Sequence, residues 1–359
     1  MNILNVFNDD AFTASTLTGQ ILAMDHVPGR AGELVFAGIS EGIPTTAVTI
    51  ERQNEELTLL PTTARGAPAP QQTMAKRELL GFEVPQIKLE QTIYAHSIQD
   101  IAGRFGTDGN APPVDAYGDR LRGATSAVNN AMNKMTRRHD LTLEHHRLGA
   151  LKGVIADADG SVLVDLYEEF GFLNSDGFAA PEEFAFDLGD WTQSTFAKNL
   201  RAKCSEVIRA MRRAAKMEIP STALVWALTG DNFHDKLLEH PSVKKVYDGT
   251  AAAKQRLGDS YVSGVFEFGN VFFENYQGTD DNSTVAIDPD EARFFFTGIP
   301  ELYSESFAPA DFLETTNKQG LPRYAKLALD PQFQQWVKLH TQQNPLPLCL
   351  RPQTLMRAT

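Results

Sequence analysis

The stretch from Tyr117 to Arg147 constrains this chain most. Tyr117, Leu121, Ala124, Val128, Ala131 and Met135 recur at intervals of four, three, four, three and four. That spacing lays one apolar stripe along a helix. The other side carries Asp119, Arg122, Asn129, Asn133, Lys134 and Arg137. At ~1.5 Å per residue the helix reaches on the order of 45 Å, unusually long for a compact domain. On pattern alone, a long surface helix of an ordinary α+β protein remains open.

The helix runs into EHHRLGALKGVIADADGSVLVDLYEEFG (144–171), where a tight turn joins two alternating strands. Asp157, Asp159, Ser161, Asp165 and Glu168 fall at positions 1, 3, 5, 9 and 12 of a calcium-loop register. Position 6 of such a loop needs Gly for its sharp bend, and here it is Val162. Gly160 sits where a hairpin turn wants a positive φ. Val162, Val164 and Leu166 then alternate as one strand face, so the turn is preferred to the ion site. His145 and His146 are adjacent, so on a helix they point about 100° apart. With Glu144 they read as solvated surface, and the H-E-x-x-H spacing of a zinc helix is absent.

Residues 1–44 read as an arm without sustained periodicity. Ala47, Thr49 and Glu51 alternate with Val48 and Ile50, and Leu57, Leu59 and Leu60 follow a polar turn around Gln53-Asn54. Pro61, Pro68, Pro70 and Gly66 break regular structure, and Phe82, Val84, Ile87 and Leu89 alternate on the return. Such a hairpin over 46–92 is a poor independent core, so it is expected to rest on a neighbouring subunit. A short helix is expected at 97–106. A second amphipathic helix over 191–217 would bury Phe196, Leu200, Val207, Ile208 and Met211. Its other face would carry Lys198, Arg201, Arg209, Arg212 and Lys216. After Pro220, an αβ pattern leads into strands at 261–276 and 292–300, and NPLPLCLRPQTL (344–355) reads as an edge strand.

Charge is unevenly spread on a chain whose formal net is −13. Residues 191–217 hold seven Lys or Arg and one acid, Glu206, whereas 257–317 hold twelve acids and one base, Arg293. Either these are two solvated faces, or opposite surfaces meet between copies and set register. The acidic balance, and the lack of aromatic interleaving in the basic helix, argue against general nucleic-acid binding. No Walker-type loop, dinucleotide fingerprint or nucleophile elbow occurs. Cys204 and Cys349 are too few and too far apart for a disulfide framework or a zinc site. The first sixteen residues hold two acids and no apolar run, unlike a signal peptide. No stretch nears ~18 uninterrupted apolar residues, so no membrane span is expected. The expected catalytic, cofactor and metal residues are therefore none. A metal-dependent hydrolase using His145, His146, Asp157 and Asp159 is the remote rival.

Five segments in order carry a family resemblance: GRAGELVFAGISEGIPTTAVTIE (29–51), the loop and return (57–70, 76–106), RLGALKGVIADADGSVLVDLYEEFG (147–171), FAPADFLETTNKQGLPRYAK (307–326) and NPLPLCLRP (344–352). Together they resemble the lambda-type major capsid proteins of tailed bacteriophages. The resemblance implies an α+β fold of the HK97 type. Its parts would be an N-terminal arm (1–45), an extended loop hairpin (46–95) and a peripheral P-domain (96–175) with a spine helix near 117–147. An axial A-domain (176–305) would follow, then a return to the P-domain with a C-terminal strand (306–359). It implies no enzyme activity and no cofactor, but self-assembly into hexamers and pentamers of a virion shell, built in the host cytoplasm. The shell would enclose DNA without sequence-specific contact. Matching residues begin near Phe7, so a separate scaffolding protein is expected, with a maturation protease acting on it and a portal protein. Some relatives take a capsid decoration protein, and others form Lys–Asn cross-links. Lys76 lies in the loop, but no partner Asn or Glu is identified and cross-linking is not expected. A nanocompartment shell of the same fold is the structural rival.

Overall fold

The long apolar stripe forms one continuous helix, α1 (Ala116–Lys152), which at ~1.5 Å per residue spans about 55 Å. This computed structural model describes residues 29–53, 77–95, 116–172, 181–189, 200–248, 265–279, 285–333 and 335–359. The side chains of 116–126 fall outside that description, as do the expected helix at 97–106 and residues 54–76 of the expected hairpin, Lys76 among them. Val128, Ala131, Met132 and Met135 of α1 bury against Ile93, Ala325, Val337 and Leu339. Those partners belong to an antiparallel sheet in the order β13 (Tyr324–Leu329), β14 (Trp336–Gln343), β4 (Ile87–Tyr94). The helix stops at Gly153, whose φ of +88° ends the run. A Cβ there would sit 2.1 Å from the Tyr167 ring.

Beyond it, β5 (Val154–Ala156) and β6 (Val162–Asp165) form the expected ribbon, and Gly160 has φ +85° at its turn. Leu166, expected to continue the strand, instead begins a one-turn helix, α2 (Leu166–Glu169). The reason is Asp165, whose carboxylate accepts from the Tyr167 and Glu168 amides as an N-cap.

The largest sheet has six strands, ordered β7 (Glu182–Phe184), β16 (Met356–Ala358), β11 (Ala292–Thr297), β8 (Leu224–Thr229), β10 (Val271–Asn275), β9 (Val265–Phe268). Phe273 and Phe294 meet edge-on across it at 5.9 Å. Three helices accompany it: α3 (Leu200–Ala215), α4 (Asp231–Glu239) and α5 (Pro241–Asp248). As expected, α3 buries Leu200, Val207 and Met211. Phe196 and Lys198 lie outside the described residues.

Two smaller sheets complete the connections. The first runs β1 (Ser40–Gly42), β12 (Tyr303–Phe307), β15 (Pro345–Cys349). Its β15 is the expected edge strand, where Pro345 and Pro347 forfeit no inner ladder bond. The second pairs β2 (Ala47–Gln53) with β3 (Arg77–Glu83), from Ala47 opposite Glu83 to Gln53 opposite Arg77. Gln53 is thus still in the strand, so the expected turn at Gln53-Asn54 is corrected. The alternation of 47–53 matches that of its partner strand 77–83.

Candidate functional site at the end of the long helix

The final turns of α1 carry a buried ionic junction that ties the arm, the helix and two sheets together. Glu144 and Arg147 are three residues apart and so share a face. Glu144 accepts from the Ala31 amide at 2.7 Å, the Gly32 amide at 3.3 Å and the Tyr276 hydroxyl at 3.1 Å. Arg147 grips Glu305 of β12 with two prongs, Nε at 2.6 Å and Nη2 at 2.9 Å. Ser40 also donates to that carboxylate, and the guanidinium lies over the Phe36 ring. Such bidentate pairing fixes direction as well as distance. The arm approaches this closely only because it is glycine-rich. A Cβ at Gly29 would fall 2.1 Å from the Glu144 carboxyl, and one at Gly32 would fall 2.3 Å from Arg147 Nη1.

A second group of charges extends the junction into the six-stranded sheet. Arg30 reaches Glu274 of β10 through Nε at 2.5 Å and Nη2 at 3.1 Å, and Trp226 Nε1 donates to the same carboxylate at 2.9 Å. The hydrogen bond to Glu274 raises the Arg30 pKa. Glu291 likewise joins Arg293 of β11 to Arg357 of β16.

Burial sets the protonation of this region. It raises the Glu144 pKa, against the hydrogen bonds that favour its anion. It lowers His146 to about 4, with help from His145, and His139 to about 4, with help from Arg323. Both ring nitrogens of His146 are buried without a hydrogen-bond partner among the described residues, so the imidazole is held neutral. Burial also pulls Lys152, whose ammonium donates to the Ala286 carbonyl at 2.7 Å, down to about 8.

These positions correct one expectation and bear out another. Glu144 and His146 are buried, not solvated. Their side chains face the arm and neighbouring strands, which a helix pattern alone does not register. Asp157 and Asp159 act as turn formers. Asp157 Oδ1 accepts from the Ala158 amide, and Asp159 Oδ1 accepts from the Ser161 amide and hydroxyl. Asp165 is spent on capping α2. Among the described residues no three His, Cys, Asp or Glu side chains are grouped to hold a metal ion. Cys204 and Cys349 are buried, and burial pushes both thiols up to about 12, far from a reactive thiolate.

The charge expectation also needs correction. Three acids of the 257–317 segment, Glu274, Glu291 and Glu305, are buried and matched to arginines of the same chain. They cannot belong to a surface offered to a neighbour. Sequence reading missed the junction because its halves lie over a hundred residues apart. The paired three-residue spacing of Gly29/Gly32 and Glu144/Arg147 is its one local trace.

The junction holds the 29–40 segment against the end of α1, and sequence comparison gives the family. A model of the family described as "Phage major capsid protein E" matches residues 13–359. The chain belongs to that family. No curated protein matches it in sequence. Among solved structures, the capsid of cyanophage A-1(L) is similar at 12% identity, with a TM-score of 0.52 over 94% of this chain and 93% of that one. The mature capsid of bacteriophage PhiM1 is similar at 13% identity, with a TM-score of 0.48 over 94% and 90%. The cyanophage likeness gives the fold, a mixed helix-and-sheet capsid architecture of the HK97 type. As a family member, the chain is a shell-forming component of the icosahedral phage capsid, and its place is the virion.

Proposed function

We propose that this chain assembles as hexamers and pentamers into the head shell, without catalytic activity or a bound cofactor. Assembly takes place in the host cytoplasm around a separate scaffolding protein and a portal protein. Packaged DNA is enclosed without sequence-specific contact, and a decoration protein is a further partner of the outer surface. The match of nearly the whole chain to a capsid family carries the reading. Within it, the arm occupies residues 1–45, the extended loop 46–95, the P-domain 96–175 and the A-domain 176–305, with 306–359 returning to the P-domain. The packing of α1 on β4, β13 and β14 supports a P-domain built on a spine, and the β2–β3 ribbon supports the base of an extended loop.

The test is assembly of the purified chain, followed by light scattering and negative-stain electron microscopy with and without coexpressed scaffold. Capsomers, shells or tubes are expected. A stable monomer, independent of concentration across salt and scaffold conditions, would overturn the proposal.

A further inference from the structure

The two helices on either side of β8 in the sequence carry opposite charge. On α3, Arg201, Arg209, Arg212 and Arg213 are exposed, and exposed Lys216 follows the last turn with φ +46°. At about 100° per residue the four arginines share an arc of roughly 120°, opposite the buried Cys204, Val207 and Met211. Glu206 is the only acid on this helix. None of the five cations makes an ion pair among the described residues. On α4, Asp231, Asp235 and Glu239 are exposed at intervals of four, which places them on one face. The buried Phe233 and Leu237 lie on the other.

The acidic face extends beyond α4. Lys236 of α4 binds Asp290 at 2.9 Å, which brings exposed Asp288 and Asp290 beside the helix. Five carboxylates therefore stand there with one lysine among them. The patch ends toward α5, which carries Lys244 and Lys245. No ion pair joins α3 to α4 within the chain among the described residues.

A protomer with a basic stripe on one helix and an acidic stripe on another can meet its copies head to tail. Such heterologous contacts close into rings when repeated about an axis. Two copies with a formal net charge of −13 each repel overall, so a basic stripe has its best complement in a local acidic one. On the shell-forming reading above, we infer that α3 of one copy docks beside the α4 acidic face of the next copy around a capsomer. The occupant of the basic stripe is a second copy of this chain. The contact sets register and association rate, and it weakens as salt screens it.

Reversal variants test this in the full chain, with thermal melts as a folding control. Arg209→Glu with Arg212→Glu should slow assembly about tenfold at low ionic strength, and Asp235→Lys with Glu239→Lys should do the same. The four changes combined should restore the rate to within about threefold of wild type, because the exchanged stripes complement one another again. Should either reversal disturb folding, the neutral pair Arg209→Gln and Arg212→Gln should still slow assembly by a smaller factor. If the single-stripe reversals assemble at the wild-type rate, this inference fails and the capsid reading stands. It fails equally if the combined variant stays as slow as its parents, or if the Arg reversal loses DNA retention alone. Wild-type protein that never assembles overturns the capsid reading, and this inference with it.

Discussion

Glu305 is fully buried, and the two-pronged grip of Arg147 is what makes its charge tolerable there. Removing one partner of a buried pair leaves the other uncompensated, at a cost of about 3–5 kcal/mol, whereas replacing both by apolar residues is often neutral. Arg147→Met should therefore lower stability by about that much in urea unfolding. Adding Glu305→Leu should recover at least half of the loss. No recovery would mean that the pair is needed for more than its own charge balance. Acid sensitivity belongs to this scale too. His139 and His146 are held near pKa 4, against 6.5 for an ordinary histidine. As pH falls below 6.5 the unfolded chain takes up protons first, so each histidine favours unfolding by about 1.4 kcal/mol per pH unit until pH 4. Glu144, with its raised pKa, works the other way just above the usual carboxylate range. The urea midpoint of unassembled protein should drop between pH 6.5 and 4.5, and His146→Leu should flatten that drop. An unchanged slope in the variant would assign the acid sensitivity elsewhere.

Among the elements, the β2–β3 ribbon joins a buried base to an open surface. Phe82 is buried and packs on Phe170 at 5.8 Å between ring centres, while Leu79 on the same strand is 70% exposed. A large apolar side chain that open on a ribbon is a candidate contact for a neighbour. Leu79→Glu should leave the urea stability of the protomer within about 0.5 kcal/mol, as surface changes usually do, and should reduce the yield of shells seen by electron microscopy. Normal shells from this variant would show that the Leu79 face looks to solvent. Elements of this kind were well marked in the sequence. The alternation of Val48 and Ile50 and the stripe on α1 are local repeats that burial on one face imposes. Leu166 was misread because alternation continued past Asp165, whose capping carboxylate bends the chain into a helix instead.

For the whole molecule, the most consequential connection is made by the last strand. β16 lies inside the six-stranded sheet, between β7 and β11, with Met356 and Ala358 buried and Arg357 bonded to Glu291. Deleting residues 356–359 would strip a strand from the sheet interior and leave two edges unpaired. The truncated chain should lose cooperative thermal unfolding and bind a hydrophobic dye, as a loosely packed state does. A sharp transition at the original temperature would mean that the sheet closes without β16.

What the sequence determined alone is whatever repeats over a few residues. The period of α1, the alternation of the paired strands, the positive-φ turn at Gly160 and the lack of catalytic motifs follow from local spacing and backbone sterics. The order of five motif segments was enough to place the chain in a capsid family. Only the tertiary structure decided which charges face inward. Glu144, His146, Glu274, Glu291 and Glu305 are polar residues whose patterns look solvated. Each is buried by segments that folding brings beside it, and Glu274, Glu305 and Glu291 meet Arg30, Arg147 and Arg357 there. Local periodicity reports which face of an element is apolar. It carries no term for a partner distant in sequence, and that partner determines whether a charge can be buried.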